Sequence, residues 1–258
     1  MPRIAFISPL GGTGRTATAA HMLSEFAERE HPVLGIDLCP QNQLGRYLGL
    51  REPAAQGWAT SVLADQWWAT HALENSVQAA FLPFGQPQPS ELHPLGRRWM
   101  DESGWLEGQL CALDIPDNTQ VILDTPVWPA PLAQQAARCA DVLMVMLDAS
   151  LRSCHAYDLI QGMLAGVPST LINVGLVLTG FDARRTSHRE ALQTLRKQWG
   201  PLLLPYIIHA DESLVQAQAR GLCVTQYAPQ AQSASDMQGI ATWLELQCQM
   251  VPLPLVSP

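Results

Sequence analysis

A short apolar run at residues 4–7 leads directly into Ser8-Pro9-Leu10-Gly11-Gly12-Thr13-Gly14-Arg15-Thr16, and residues 17–29 then follow a helical pattern. Few architectures place a buried strand, a glycine-rich turn and a helix in immediate succession. The three glycines let the backbone wrap closely around an anion, whose charge then faces free N–H groups and the positive end of the helix dipole. Thr16 stands where a hydroxyl would reach Mg²⁺. A glycine-rich turn also serves tight strand–helix packing with no ligand at all, so taken alone it leaves both readings open.

Further apolar runs occur at residues 33–36, 77–82, 121–123, 142–147, 176–178 and 202–208, separated by stretches long enough for crossover helices. That rhythm predicts an α/β fold: a doubly wound, mostly parallel sheet with helices on both faces. With 258 residues, 47% of them hydrophobic and 15% charged, the chain can bury a large core. One domain over residues 1–250 is expected, followed by a loose proline-rich tail at 251–258. Residues 86–104, rich in Pro, Gly, His and Arg, read as a long loop or insertion before a helix near residues 105–113.

Composition narrows the function. A net charge of -8 argues against sequence-independent binding to nucleic acid, which requires clustered cations. Of the 15 basic residues only Lys197 is a lysine. The six cysteines form no C-x-x-C pair and no short Cys/His ligand spacing, so neither zinc nor a disulfide framework is expected. Residues 1–7 are too short for a signal-peptide core, and no apolar stretch reaches the length of a membrane span. The expectation is a soluble, cytoplasmic chain without direct membrane insertion.

Read as a Walker motif, the first turn departs at both ends: Pro9 stands at the first glycine and Arg15 at the lysine. Leu10, Gly11, Gly12, Thr13, Gly14, Arg15, Thr16 and Ala17 more closely resemble the deviant P-loop K-G-G-x-G-K-T-T of the MinD/ParA (SIMIBI) ATPases. In that likeness Leu10 occupies the signature-lysine position, and Arg15 that of the conventional lysine. The segment from Gly35 to Asn42 resembles the switch I pattern D-x-D-P-Q-x-N, with Asp37 kept and Cys39 replacing the second carboxylate. Val121-Ile122-Leu123-Asp124-Thr125-Pro126 resembles Walker B with switch II. The likeness implies ATP and Mg²⁺ as cofactors, with Thr16, Asp37 and Asp124 at the metal. It also implies base contacts from the loop after the last core strand, where Pro205 and His209 lie, and from Thr179, near where many relatives carry an Asn. No catalytic residue is assigned, because Cys39 is a poor base or water-orienting group at neutral pH.

A narrower resemblance is to the cellulose-biosynthesis (BcsQ/YhjQ) branch. It rests on Ile36-Asp37-Leu38-Cys39-Pro40, on Gly57-Trp58-Ala59 with Trp67-Trp68, on the Phe81-Leu82-Pro83-Phe84-Gly85-Gln86 segment and on Leu203-Leu204-Pro205 running into Ile208-His209-Ala210-Asp211-Glu212. This implies an accessory subunit of a bacterial cellulose synthase and secretion system, dimeric and working with a small partner protein and other synthase-complex subunits. A nucleotide switch with weak or no hydrolysis leads, a nucleotide-independent scaffold is the alternative, and a DNA-partitioning ATPase is disfavoured. The eight tryptophans serve core packing first and a partner surface second.

Overall fold

The computed structural model describes residues 1–167 and 173–249; the expected tail at 251–258 lies outside them. The strands are β1 (Arg3–Ile7), β2 (Val33–Asp37), β3 (Leu73–Glu74), β4 (Ala80–Leu82), β5 (Gln120–Asp124), β6 (Val142–Asp148) and β7 (Asn173–Thr179). They form one sheet in the order β3-β4-β2-β5-β1-β6-β7. All neighbours run parallel except β3, which pairs antiparallel with β4 at the edge. The helices in the first half are α1 (Arg15–Glu28), α2 (Leu44–Tyr47), α3 (Trp58–Leu63), α4 (Pro89–Asp101), α5 (Trp105–Cys111) and α6 (Pro131–Cys139). Those of the second half are α7 (Leu151–His155), α8 (Tyr157–Ala165), α9 (Thr186–Trp199), α10 (Glu212–Ala219), α11 (Val224–Tyr227) and α12 (Gln232–Gln249).

Alternation along each strand divides the core into two layers. From β1, Ile4 and Phe6 pack with Leu23 and Phe26 of α1 and Ile240 and Leu244 of α12. Ala5 and Ile7 face the opposite layer, built from Leu132 and Ala136 of α6, Ile160 of α8, Leu195 of α9 and a group of buried tryptophans. Strands covered on both faces in this way are near-continuous apolar runs, as their sequence shows. No helix among the described residues is long and apolar enough to cross a membrane.

Three expectations are corrected. Residues 86–104 contain α4 rather than an unstructured loop. Pro89 occupies the opening turn, where a missing N–H costs nothing, and the Gln88 N–H donates to the Glu91 carboxylate at 2.7 Å. Leu95 and Trp99, four residues apart, then bury one face of a helix that tolerates Pro94 within it. The run at 202–208 is not a strand of the sheet. It follows β7 through two hydrogen bonds, Leu204 N–H to the Leu176 carbonyl and Ile208 N–H to the Leu178 carbonyl, both 2.9 Å. Pro205 has no N–H to extend the ladder between them. A second run is shortened: β4 begins at Ala80, not at residue 77.

The tryptophans act first as packing. Trp58 is fully buried, with ring centroids of Phe84, Trp105, Trp99 and Trp68 at 4.8, 5.4, 5.5 and 6.5 Å. Its indole N–H donates to the Asp37 carbonyl at 2.7 Å, which ties the cluster to the C-terminal end of β2. Trp58→Ala is therefore expected to cost about 3–5 kcal/mol of unfolding free energy, read by chemical denaturation. A loss below about 1 kcal/mol would mean that the cluster is not a structural anchor.

Candidate nucleotide site

β1 lies between β5 and β6, and the carboxyl ends of β1, β5 and β2 stand side by side, the position where open α/β sheets present ligand crevices. The chain leaves β1 through the glycine turn. Gly12 and Gly14 both adopt φ of 73°, a left-handed conformation costly for a residue with a Cβ. Gly14 caps α1 with no side chain on the helix N–H groups. Nothing among the described residues lies within 4 Å of the space a Cβ would take at Gly11. The turn is braced from β7: the Thr179 hydroxyl donates to the Thr13 carbonyl at 3.0 Å.

Strand register sets the charged part of the site. Asp37 and Asp124 close β2 and β5 as direct neighbours, and both are wholly buried. Asp37 accepts the N–H of Cys39 at 2.9 Å and that of Leu44 at 3.0 Å. Burial and then the Asp124 charge nevertheless hold its carboxyl well above the usual range. Among the described residues Asp124 has no hydrogen-bond partner on either oxygen. Its nearest cation is Arg15, whose Nε is 3.6 Å away and itself unpartnered. That separation is an ion pair without a hydrogen bond. Burial raises Asp124 to about 6, while Arg15 and Thr16 pull it down.

Thr16 and Ala17 line a cavity of about 140 Å³ with Gly12, Thr13, Gly14, Arg15 and Tyr47. A neighbouring cavity of about 600 Å³ shares Gly12, Gly14 and Ala17 and adds Thr179 and His209. His209 is held there by Asp236, which lies 2.8 Å from its ring Nδ1 and accepts its backbone N–H at 2.9 Å. Leu10 is half-buried against the core, its N–H on the Ser8 hydroxyl at 3.1 Å, and offers no cation. Pro205 is exposed and lies outside the lining of both cavities. Cys39 is a buried thiol that donates to Gln41 Oε1 at 2.6 Å. Burial and the two aspartates push it up to about 12, so it stays neutral.

Two residues escaped the sequence reading. Tyr47, at the end of α2, lines both cavities. Arg152 on α7 places a guanidinium nitrogen 3.9 Å from the Cβ position of Gly12 and is oriented by Asp148, 2.9 Å from its Nε. The available signal was an arginine one helical turn beyond the aspartate that ends β6. Arg152 brings a guanidinium, ion-paired with Asp148, to the glycine turn from a different element than the one that lost the signature lysine.

The family described as "Cellulose biosynthesis protein BcsQ" matches residues 1–244. The chain belongs to this family. Among its relatives, the BcsQ of Escherichia coli K12 is 27% identical over 250 residues, covering 96% of this chain and 95% of that one. Solved structures with the same fold include MinD, the cell division ATPase of Pyrococcus furiosus, with a TM-score of 0.71, 17% identity and coverage of 95% and 98% of the two chains. Another is the cobyrinic acid a,c-diamide synthase of Mycobacterium smegmatis with bound ATP analogue and magnesium, with a TM-score of 0.78, 19% identity and 98% coverage of both chains. This member of the BcsQ family therefore has the MinD/ParA-like P-loop fold, and its departures at Leu10, Arg15 and Cys39 are variations within that fold.

The carboxylate pair predicts a pH dependence in protein stripped of divalent metal. A folded-state carboxyl raised from 3.8 to about 6 binds more protons than its unfolded counterpart, so its contribution to stability is fully present below the lower value and is lost as pH rises through the upper one. Asp124→Asn should consequently gain stability relative to the parent between about pH 4 and 7. Denaturation midpoints in chelator across that window check it, and parallel curves would refute the assignment.

Proposed function

We propose that this chain is a nucleotide-dependent assembly subunit of a bacterial cellulose synthase and secretion system, binding ATP with Mg²⁺ and turning it over weakly or not at all. Membership of the BcsQ family supports the role in cellulose biosynthesis. The observation that carries the nucleotide reading is the buried Asp37–Asp124 pair, with both oxygens of Asp124 unpartnered, beside an open glycine turn. Bound ATP–Mg²⁺ would supply a dication for the carboxylates and an anion for the turn. The neighbour solved with an ATP analogue and magnesium supports that ligand class.

Each of the chain's residues then has a part. The N–H groups around Gly11, Gly12 and Gly14 and the start of α1 hold phosphate oxygens. Thr16, Asp37 and Asp124 hold the metal, directly or through water. Arg15, now turned to Asp124, and Arg152 carry the positive charge at the phosphates, with the planar fork of guanidinium in place of a compact ammonium. Thr179 and His209 contribute the base side of the larger cavity. Turnover suffers because phosphoryl transfer depends on charge and positioning around the γ-phosphate, where a lysine has become Leu10 and a carboxylate has become the neutral Cys39. Nucleotide would order the loops after β1, β2 and β5 together, favouring a homodimer able to engage a small accessory protein and other synthase subunits in the cytoplasm.

One observation favours a second reading, a scaffold that needs no nucleotide: Arg15 already neutralises part of the carboxylate charge. Equilibrium binding separates the two. ATP should bind with Mg²⁺ while phosphate release stays near background, and no binding at millimolar ATP would leave the scaffold. Thr16→Ala should weaken binding in Mg²⁺ about tenfold, equivalent to roughly 1.4 kcal/mol. Unchanged affinity would remove Thr16 from the metal. Arg152→Ala should weaken ATP more than ADP, and equal loss for both would place it away from the terminal phosphate. Cys39→Asp should raise phosphate release; a flat rate would put the block elsewhere.

A further inference from the structure

Away from the nucleotide site, the face of α1 that follows the glycine turn carries Glu25 and Glu28, and Cys223 meets it from the residue preceding α11. One ligand atom from each of the three lies within 4.8 Å of the others. Glu25 and Cys223 are buried, whereas Glu28 is exposed and leaves a path from solvent. Glu25 is 3% exposed, and its Oε1 has no hydrogen-bond partner among the described residues. Its other oxygen, Oε2, lies 3.5 Å from Arg29, a guanidinium that is closer to Glu245, at 2.9 Å. Oε1 is thus a buried carboxylate oxygen left over for a ligand, a costly arrangement without one. Among the described residues the Cys223 thiol is hydrogen-bonded to a hydroxyl, Thr225 Oγ1 at 2.9 Å, and its backbone N–H donates to Gln226 Oε1 at 3.1 Å.

We propose that Glu25, Glu28 and Cys223 form a site for a divalent cation of the zinc class, separate from the Mg²⁺ carboxylates of the nucleotide site. One sulfur with two carboxylates suits a borderline metal, whereas Mg²⁺ takes oxygen ligands alone. Bonds of about 2.0–2.3 Å place tetrahedral ligands about 3–4 Å apart, which side-chain rotation reaches from the observed spacing. On binding, the Cys223 S–H proton passes to solvent as the sulfur–metal bond forms, and water completes the shell. The metal would clip the residue before α11 to the helix whose first turn holds the phosphate loop, so it would stiffen that helix without touching nucleotide.

Cobalt(II) added to the full-length, nucleotide-free protein provides the test. One equivalent should produce a thiolate-to-cobalt charge-transfer band that Zn²⁺ abolishes, and Zn²⁺ should raise the melting temperature. Cys223→Ser should lose the band, and Glu25→Gln and Glu28→Gln should each weaken cobalt binding. Glu28 is exposed, so its variant tests the site even if Cys223→Ser fails to fold. A parent protein without the band overturns the proposal. The same band in Cys223→Ser, or equal cobalt affinity in Glu28→Gln, overturns it as well.

Discussion

Two carboxylates at the ends of adjacent strands, buried side by side with one arginine of the phosphate loop against them, are the constraint on which the site depends. Ionised groups in such a place are stable only when their charge is answered. Asp37 is partly answered by the N–H groups of Cys39 and Leu44. Asp124 has Arg15, at a separation too long for a hydrogen bond, with a smaller contribution from Thr16. Folding by itself leaves this cluster short of partners among the described residues.

The sheet makes this arrangement possible. Parallel pairing of β2 with β5 sets Asp37 opposite Asp124, and pairing of β1 with β5 brings the glycine turn to the same edge. The tryptophan cluster takes part through Trp58, whose indole holds the carbonyl of Asp37 itself. On the other side of the turn, Thr179 fixes the Thr13 carbonyl from β7. With Arg15 against Asp124 of β5 and Thr13 held by Thr179 of β7, the phosphate loop is tied to strands on both sides of β1.

Much of this was legible along the chain. The runs that became β1, β2, β5, β6 and β7 are buried on both faces, and strands of that kind show themselves as continuous apolar segments. The motif residues from Gly11 to Thr16, Asp37 and Asp124 are contiguous with those runs, so finding the strands located them. The helix α4 was obscured because its prolines and glycine suggest a loop, while its stability comes from an N-terminal cap and two buried side chains. The segment at 202–208 misled for the opposite reason, being apolar enough for a strand but lacking the N–H at Pro205 that a ladder needs.

By itself the sequence determined the fold class, the glycine turn and the chemical losses at Leu10 and Cys39, because these depend on local pattern and residue type. Only the tertiary structure decided that Arg15 turns to Asp124, that Tyr47 and Arg152 join the site, that Pro205 stays outside it, and that Cys223 meets Glu25 and Glu28. Those outcomes depend on which distant segments share a corner of the sheet, and such proximity is set by packing and strand register, which leave no mark at any single position of the chain.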